Sequence, residues 1–345
     1  MSGSSEGPRR ATVSAPANIA FVKYWGARDL ERALPWHPSI SMTLEACRSV
    51  TTVEARAGLA RDEVWLAGED GRLEAAAEGF ARRVRGHLEA IRTRTGRAER
   101  FRVATRNTFP AAAGLASSAT GFAALAVATA RALDIEDDPR ERSVLARFSG
   151  SGSAARSVLG GYVEWPSDPR DAESPAAQIA PASHWDLRCV VALLETGPKD
   201  VSSLDGHRRA PTSPHYSRRL ELVPERLAAA RRAIQDRDLP ALGPLLEREA
   251  IELHTVAMTS EPPIFYWRPA TLDVLAAVRG LRARGVAAWS TMDAGANVHV
   301  ICPPEDEPRV AAALEAVPGI QGLIRDRVGD GPWEEDVDLF GGGEG

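Results

Sequence analysis

Pro110-Ala111-Ala112-Ala113-Gly114-Leu115-Ala116-Ser117-Ser118-Ala119 is the stretch on which the reading of this chain turns. Before it, Arg102 to Phe109 alternates polar and apolar residues at the period of a strand; after it, Thr120 to Leu133 is a run of small residues that reads as a helix. A strand, a Gly/Ser turn and a helix start together make an anion cradle. The first N–H groups of a helix lack backbone partners, and the positive end of its dipole points the same way. Two adjacent hydroxyls, Ser117 and Ser118, add donors at the same spot, which suits a nucleoside triphosphate. A turn of this kind is, by itself, most often only a turn. It is neither a Walker A loop, since no Gly-Lys-Ser/Thr follows, nor a GxGxxG motif.

The rest of the chain narrows the chemistry. Its 345 residues suit two domains. Acidic residues number 47 against 42 basic ones, interspersed, for a net charge of −5. No basic stripe points to nucleic acid or to an anionic membrane surface. Cys47, Cys189 and Cys302 are far apart and odd in number, which speaks against a disulfide framework or structural zinc and for buried thiols in a reducing cytoplasm. Met1 to Arg10 is polar and lacks the apolar core of a signal peptide, and no apolar run approaches the length of a membrane span. Only Lys23 and Lys199 are lysines in an arginine-rich chain.

Periodicity predicts strands at 11–16 and 47–57, a hairpin of 62–67 with 72–75, and a helix over 76–95. Asp137-Asp138-Pro139 opens a helix to about Phe148, and Gly161 to Trp165 is a strand. Residues 166–183, rich in Pro, Asp and Ser, read as a surface loop or boundary. Beyond them come a strand at 187–195, helices at 217–236, 239–256 and 269–284, and a strand pair at 286–290 and 297–302. A helix at 306–317 and an extended segment at 319–325 follow, and the tail after Gly331 reads as loose. Strands and helices interleave without regular βαβ periodicity, so the fold class is α+β, divided at 11–183 and 184–330.

Three further segments carry chemistry. In Ala15 to Gly26, Asn18 and Lys23 sit inside an otherwise apolar run. An unpaired buried lysine is expensive, so Lys23 either reaches an anion (a carboxylate or a phosphate) or snorkels to the surface. Ser149 to Ser157 is either a flexible linker or, with Arg156 at a helix start, an anion site. Asp293, in Thr291 to Asn297, is either a plain turn residue or a carboxylate placed to orient or deprotonate a hydroxyl.

In order and spacing these segments resemble the mevalonate diphosphate decarboxylases, a branch of the GHMP small-molecule kinase superfamily. The resemblance runs from Ala11 to about Asp326. It rests on Asn18-Ile19-Ala20 with Lys23-Tyr24-Trp25-Gly26, Ser39 to Leu44, Ala113 to Ala119, Gly150 to Ser157 with Gly160 to Trp165, and Met292-Asp293-Ala294-Gly295. His254 and Pro262-Pro263 also fit. The resemblance implies the GHMP kinase fold, with a ribosomal protein S5 domain 2-like N-terminal half, a ferredoxin-like C-terminal half and the active site between them. It implies ATP and Mg²⁺ as cofactors, a homodimer, and a cytoplasmic enzyme of isoprenoid biosynthesis. The reaction it implies is phosphorylation of the 3-hydroxyl of mevalonate 5-diphosphate or 5-phosphate, followed by loss of CO₂ and phosphate.

By the same resemblance Asp293, Lys23 and Asn18 are catalytic. Tyr24, Ser151, Ser153, Arg156 and Ser202 bind substrate, with Arg156 on its carboxylate. Gly114, Leu115, Ala116, Ser117 and Ser118 hold the nucleotide phosphates, and Ser117 also meets the metal. The chain departs from the family where cations face the 5-diphosphate. Ala27, followed by Arg28, replaces a Lys; Leu204 replaces an Arg; Phe148, beside Arg147, replaces another Arg. Ala296 replaces a Pro. A 5-monophosphate, needing fewer cations, is therefore expected to serve at least as well as the diphosphate. The other readings are a kinase that stops at the phosphorylated product and a non-catalytic nucleotide-binding paralogue, against which the retained Asp293 and Lys23 speak.

Overall fold

The computed structural model describes residues 9–68, 70–109, 117–166, 168, 170–195, 197 and 200–341. In chain order the first half comprises β1 (Arg10–Val22), β2 (Ser39–Ala55), β3 (Glu63–Ala67), β4 (Leu73–Ala75), α1 (Glu78–Thr95), β5 (Phe101–Asn107), α2 (Ser117–Ala132), α3 (Pro139–Arg147), α4 (Gly152–Ser157), β6 (Tyr162–Trp165) and β7 (Ala177–Ala180). The second comprises β8 (Arg188–Leu193), α5 (Ser203–Arg209), α6 (Tyr216–Asp236), α7 (Leu239–Met258), α8 (Pro269–Ala283), β9 (Trp289–Thr291), β10 (Val298–Cys302), α9 (Glu307–Glu315), β11 (Gly322–Arg327) and β12 (Trp333–Glu334).

The α+β expectation holds. One sheet runs β12-β1-β2-β5-β3-β4, with β6 on β2 and β7 on β6; a second, antiparallel sheet runs β11-β8-β10-β9. In the first sheet only the β3–β5 pairing is parallel among the described strands. β1 is longer than the expected 11–16, because a register irregularity between Pro16 and Asn18 lets the strand absorb the proline and continue. That irregularity changes which way the strand faces. Ala11, Val13 and Ala15 pack into a core with α1 and α2. Ala17, Ile19 and Phe21, of the same parity, pack instead with Val191, Leu227 and Leu246 of the second half. Asn18 is thereby turned toward α4. With both sides covered, β1 is buried throughout beyond Arg10, the polar Thr12, Ser14 and Asn18 included.

α2 is rich in alanine and lies on β1 and β2. α3 starts as expected, with the Asp138 side chain accepting from the N–H groups of Arg140 and Glu141 and Pro139 in the first turn. α4 starts where the Ser151 side chain accepts from Ala154 N–H, and Gly152 leaves no room for a Cβ against the Trp165 ring.

Two expectations need correction. The segment 166–183 is not all loop, since Ala177–Ala180 pairs with β6. The tail after Gly331 is not loose: β12 pairs with Val13 and Ser14, the Arg48 guanidinium stacks 3.2 Å from the Trp333 ring centroid, and Leu339 and Phe340 are buried. The tail's few apolar residues show no period, yet Trp333, Leu339 and Phe340 take places on the sheet while Val337 stays exposed. α5 is an element that the periodicity did not reveal.

Candidate active site

Two polar clusters meet where β1 ends. The first centres on Asn18. Its amide nitrogen donates to Ser157 Oγ at 2.8 Å and to Ser153 Oγ and the Ser153 carbonyl at 3.0 Å. Its oxygen accepts from Arg156 Nε and Nη2, both at 3.3 Å. Arg156 Nη1 donates to Ser39 Oγ at 2.6 Å. Asn18 and Arg156 are 2% and 3% exposed. Among the described residues no carboxylate forms an ion pair with Arg156. Burial pulls its guanidinium down to about 10, only partly offset by Asp293 and Tyr24. A buried cation whose neighbours are an amide and a hydroxyl is electrostatically prepared for an anion from outside.

The second cluster centres on Lys23. Its ammonium donates to the Ala20 carbonyl at 2.6 Å and to Asp293 Oδ1 at 2.8 Å. Lys23 is 1% exposed at its side chain and Asp293 29%, so the carboxylate is the member open to a ligand. Burial lowers the Lys23 ammonium despite the nearby Asp293 carboxylate. Burial pushes Asp293 up, but Lys23, then His299 and Arg156, more than offset it, and the carboxyl ends below its ordinary range. Asp293 is thus a carboxylate kept ionised by neighbouring cations. Behind it His299 lies buried, with Nδ1 3.4 Å from Cys189 Sγ; burial lowers it to about 4, so it stays neutral.

Tyr24 edges onto Trp165 at a centroid distance of 5.0 Å and lies 4.3 Å from the His207 ring. Burial raises its phenol, which stays protonated. The backbone here is fixed by a glycine. Gly26 has φ +77°, a Cβ on it would overlap the Tyr216 hydroxyl, and its N–H donates to His207 Nδ1 at 3.0 Å.

Of the residues expected at the site, Asn18, Lys23, Ser153, Arg156 and Asp293 come together, and Tyr24 borders them. Ser151 caps α4 through Ala154 N–H. Ser202 caps α5 and donates to Asp205 Oδ2 at 2.6 Å, on the surface. Ser117 and Ser118 open the 16-residue α2, whose first turn holds no acidic residue. Gly114, Leu115 and Ala116 lie outside the described residues. Ser39, Ser157 and His207 join the expected residues. Ser39 and Ser157 lie within segments that carry the resemblance, and Ser39 is one of three hydroxyl residues alternating with apolar ones over 39–44, so no sequence signal sets it apart.

At the positions where the resemblance implies cations, Ala27 is half-buried, with Arg28 exposed beside it, and Leu204 is 44% exposed. Arg147 is buried and donates to the Arg32 and Glu173 carbonyls, so its guanidinium is already engaged.

The chain matches the description "Diphosphomevalonate decarboxylase-like N-terminal domain" over residues 15–176 and "Mevalonate 5-diphosphate decarboxylase C-terminal domain" over 189–332. It is 34% identical to the diphosphomevalonate decarboxylase of Candida albicans, over 95% of this chain and 99% of that one. Its structure is similar to that of mevalonate diphosphate decarboxylase from Staphylococcus aureus, with a TM-score of 0.89 and 32% identity over 96% of this chain and 99% of the other. It is also similar to that of "MDDEF in complex with MVAPP, AMPPCP and Magnesium", with a TM-score of 0.86 and 35% identity over 96% of this chain and 100% of the other.

Proposed function

Since this chain belongs to the mevalonate diphosphate decarboxylase family and is an ATP-dependent decarboxylase, we propose that it converts a 5-phosphorylated mevalonate to the corresponding isopentenyl product by way of the 3-phosphate. The observation that carries this reading is the pairing of two sites: an ionised carboxylate beside a buried ammonium, and a buried guanidinium that forms no ion pair with a carboxylate among the described residues.

Arg156 receives the substrate carboxylate, braced by Asn18 and Ser39. That placement sets the 3-hydroxyl toward Asp293, which takes its proton as the oxygen is phosphorylated. Lys23 holds Asp293 ionised beforehand and balances charge on the transferring group. The bond from the carboxylate carbon to C2 then breaks, its electrons form the C2–C3 double bond, and phosphate leaves from C3. ATP and Mg²⁺ supply the phosphoryl group and neutralise its charge, as befits a family with a member structure holding AMPPCP and magnesium. The N-terminus of α2, free of acidic side chains in its first turn, is suited to the phosphates. Gly114 to Ser118 are proposed there, with Ser117 toward the metal. Tyr24, Ser151, Ser153 and Ser202 are proposed on the substrate side. The two sheets and the two matched regions support units at 11–183 and 184–330. The buried free cysteines are consistent with a cytoplasmic protein, and family membership with a homodimer.

Relatives named diphosphomevalonate decarboxylases favour the 5-diphosphate as substrate. Ala27, Leu204 and the engaged Arg147 favour a second reading in which the 5-monophosphate serves at least as well. Each missing charge-assisted contact is worth about 1.5–3 kcal/mol, and the diphosphate loses more of them. Steady-state assays of mevalonate, its 5-phosphate and its 5-diphosphate, following ADP, decide between the readings. A strong preference for the diphosphate removes the second, and no turnover of any of the three removes both.

A further inference from the structure

Lys23 lies one residue beyond the end of β1, where the sheet no longer holds its backbone. Both of its main-chain groups are nevertheless bonded, by side chains from two helices of the other half. Its N–H donates to Glu249 Oε2 at 2.9 Å, and its carbonyl accepts from Arg219 Nη2 at 3.0 Å. The same Arg219 nitrogen donates to Glu249 Oε2 at 2.8 Å, closing a ring around the Lys23 backbone. Arg219 and Glu249 are 1% and 0% exposed at their side chains. Arg226 binds the other oxygen, Glu249 Oε1, at 2.7 Å and pairs with Glu252, without touching Lys23.

Buried ion pairs rarely add net stability over apolar residues of similar volume. This one, however, supplies what no apolar pair could: a donor and an acceptor matched to one residue's peptide groups. With its backbone fixed at both ends, the Lys23 side chain folds back to the Ala20 carbonyl and ends at Asp293.

The geometry points to Arg219 and Glu249 as positioning residues that set the Lys23 ammonium against Asp293, coupling α6 and α7 to the chemistry. This rests on the reading of Lys23 and Asp293 given above. The decisive comparison is Arg219→Lys against Arg226→Lys in the full chain. Both take a guanidinium from Glu249, but only the first frees the Lys23 carbonyl. Misplacement of a reacting group by about 1 Å costs up to roughly a hundredfold. Arg219→Lys is therefore expected to lower kcat by at least about tenfold, with KM for both substrates within about threefold of the parent. Arg226→Lys is expected to keep kcat within about twofold at a comparable loss of Tm. Equal losses of kcat in the two variants, or an unchanged kcat in Arg219→Lys, overturn the proposal.

Lys23→Gln separates the two levels of the argument. If that variant keeps its turnover, the reading of the site fails; if it loses turnover while Arg219→Lys does not, only the positioning role fails. Should Arg219→Lys not fold, amide exchange of the unmodified protein still decides. The Lys23 amide is expected to exchange as slowly as the ladder-bonded amides of β1, and exchange at open-loop rates overturns the proposal.

Discussion

Lys23 Nζ donates to Asp293 Oδ1 across 2.8 Å, joining positions 270 residues apart, the end of β1 and the turn between β9 and β10. The ammonium is sealed from solvent while the carboxylate is partly open. The pair therefore presents one reactive face, an ionised oxygen with a cation behind it.

Asp293→Asn removes the base and keeps the shape. Turnover is expected to fall by roughly 10²–10⁴, the usual worth of a positioned general base, with nucleotide affinity nearly unchanged. Single-turnover kinetics beside titration with an ATP analogue checks this. Retention of more than about a tenth of the parent kcat leaves Asp293 a turn residue only.

Lys23→Gln moves the acid limb of the pH profile. In the parent, burial raises the Asp293 carboxyl, and Lys23, followed by His299 and Arg156, more than offsets it, so the group stays ionised below its ordinary range. Because the folded-state value of Asp293 is the lower one, its own contribution to stability is present above the unfolded aspartate value and is lost as pH falls through the folded one. Without Lys23, burial prevails and the acid limb of kcat moves to higher pH. An unmoved limb in the residual activity contradicts this.

Arg156→Gln removes a buried cation that Asn18 and Ser39 hold in place. Loss of a charge-assisted contact of about 1.5–3 kcal/mol raises KM for the acid substrate by roughly tenfold to a hundredfold and leaves KM for ATP near the parent value. Equal rises in both contradict the assignment of Arg156 to the carboxylate.

The fold class and most elements could be read directly, because their signals are local: β5 alternates polar and apolar residues, α2 is a run of small residues and β8 a short apolar run. The candidate site was legible as a pattern: Asn18, Lys23, Arg156 and Asp293 are polar residues in segments that otherwise belong to a core, and the fold brings them together. What escaped is non-local. Arg219 and Glu249 look like ordinary surface charges of amphipathic helices, and only the packing of α6 and α7 beside Lys23 gives them a partner. The tail is the same case: Leu339 and Phe340 carry no period, and their burial depends on the distant β2 and β5 surface.

Ending the chain after Gly331 is expected to destabilise it. Burying a Leu or Phe side chain contributes about 1.5–3 kcal/mol each, so losing Leu339 and Phe340 costs about 3–6 kcal/mol before β12 is counted. Denaturant unfolding of the shortened chain checks this, and an unchanged midpoint means the tail is an ornament of the fold.

The most direct measurement follows ADP and CO₂ together from mevalonate 5-diphosphate with ATP and Mg²⁺. An enzyme that phosphorylates the 3-hydroxyl and then eliminates releases the two in equal amounts, and loses both together in Asp293→Asn. ADP formed without CO₂ would contradict decarboxylation and leave a kinase that stops at the phosphorylated acid.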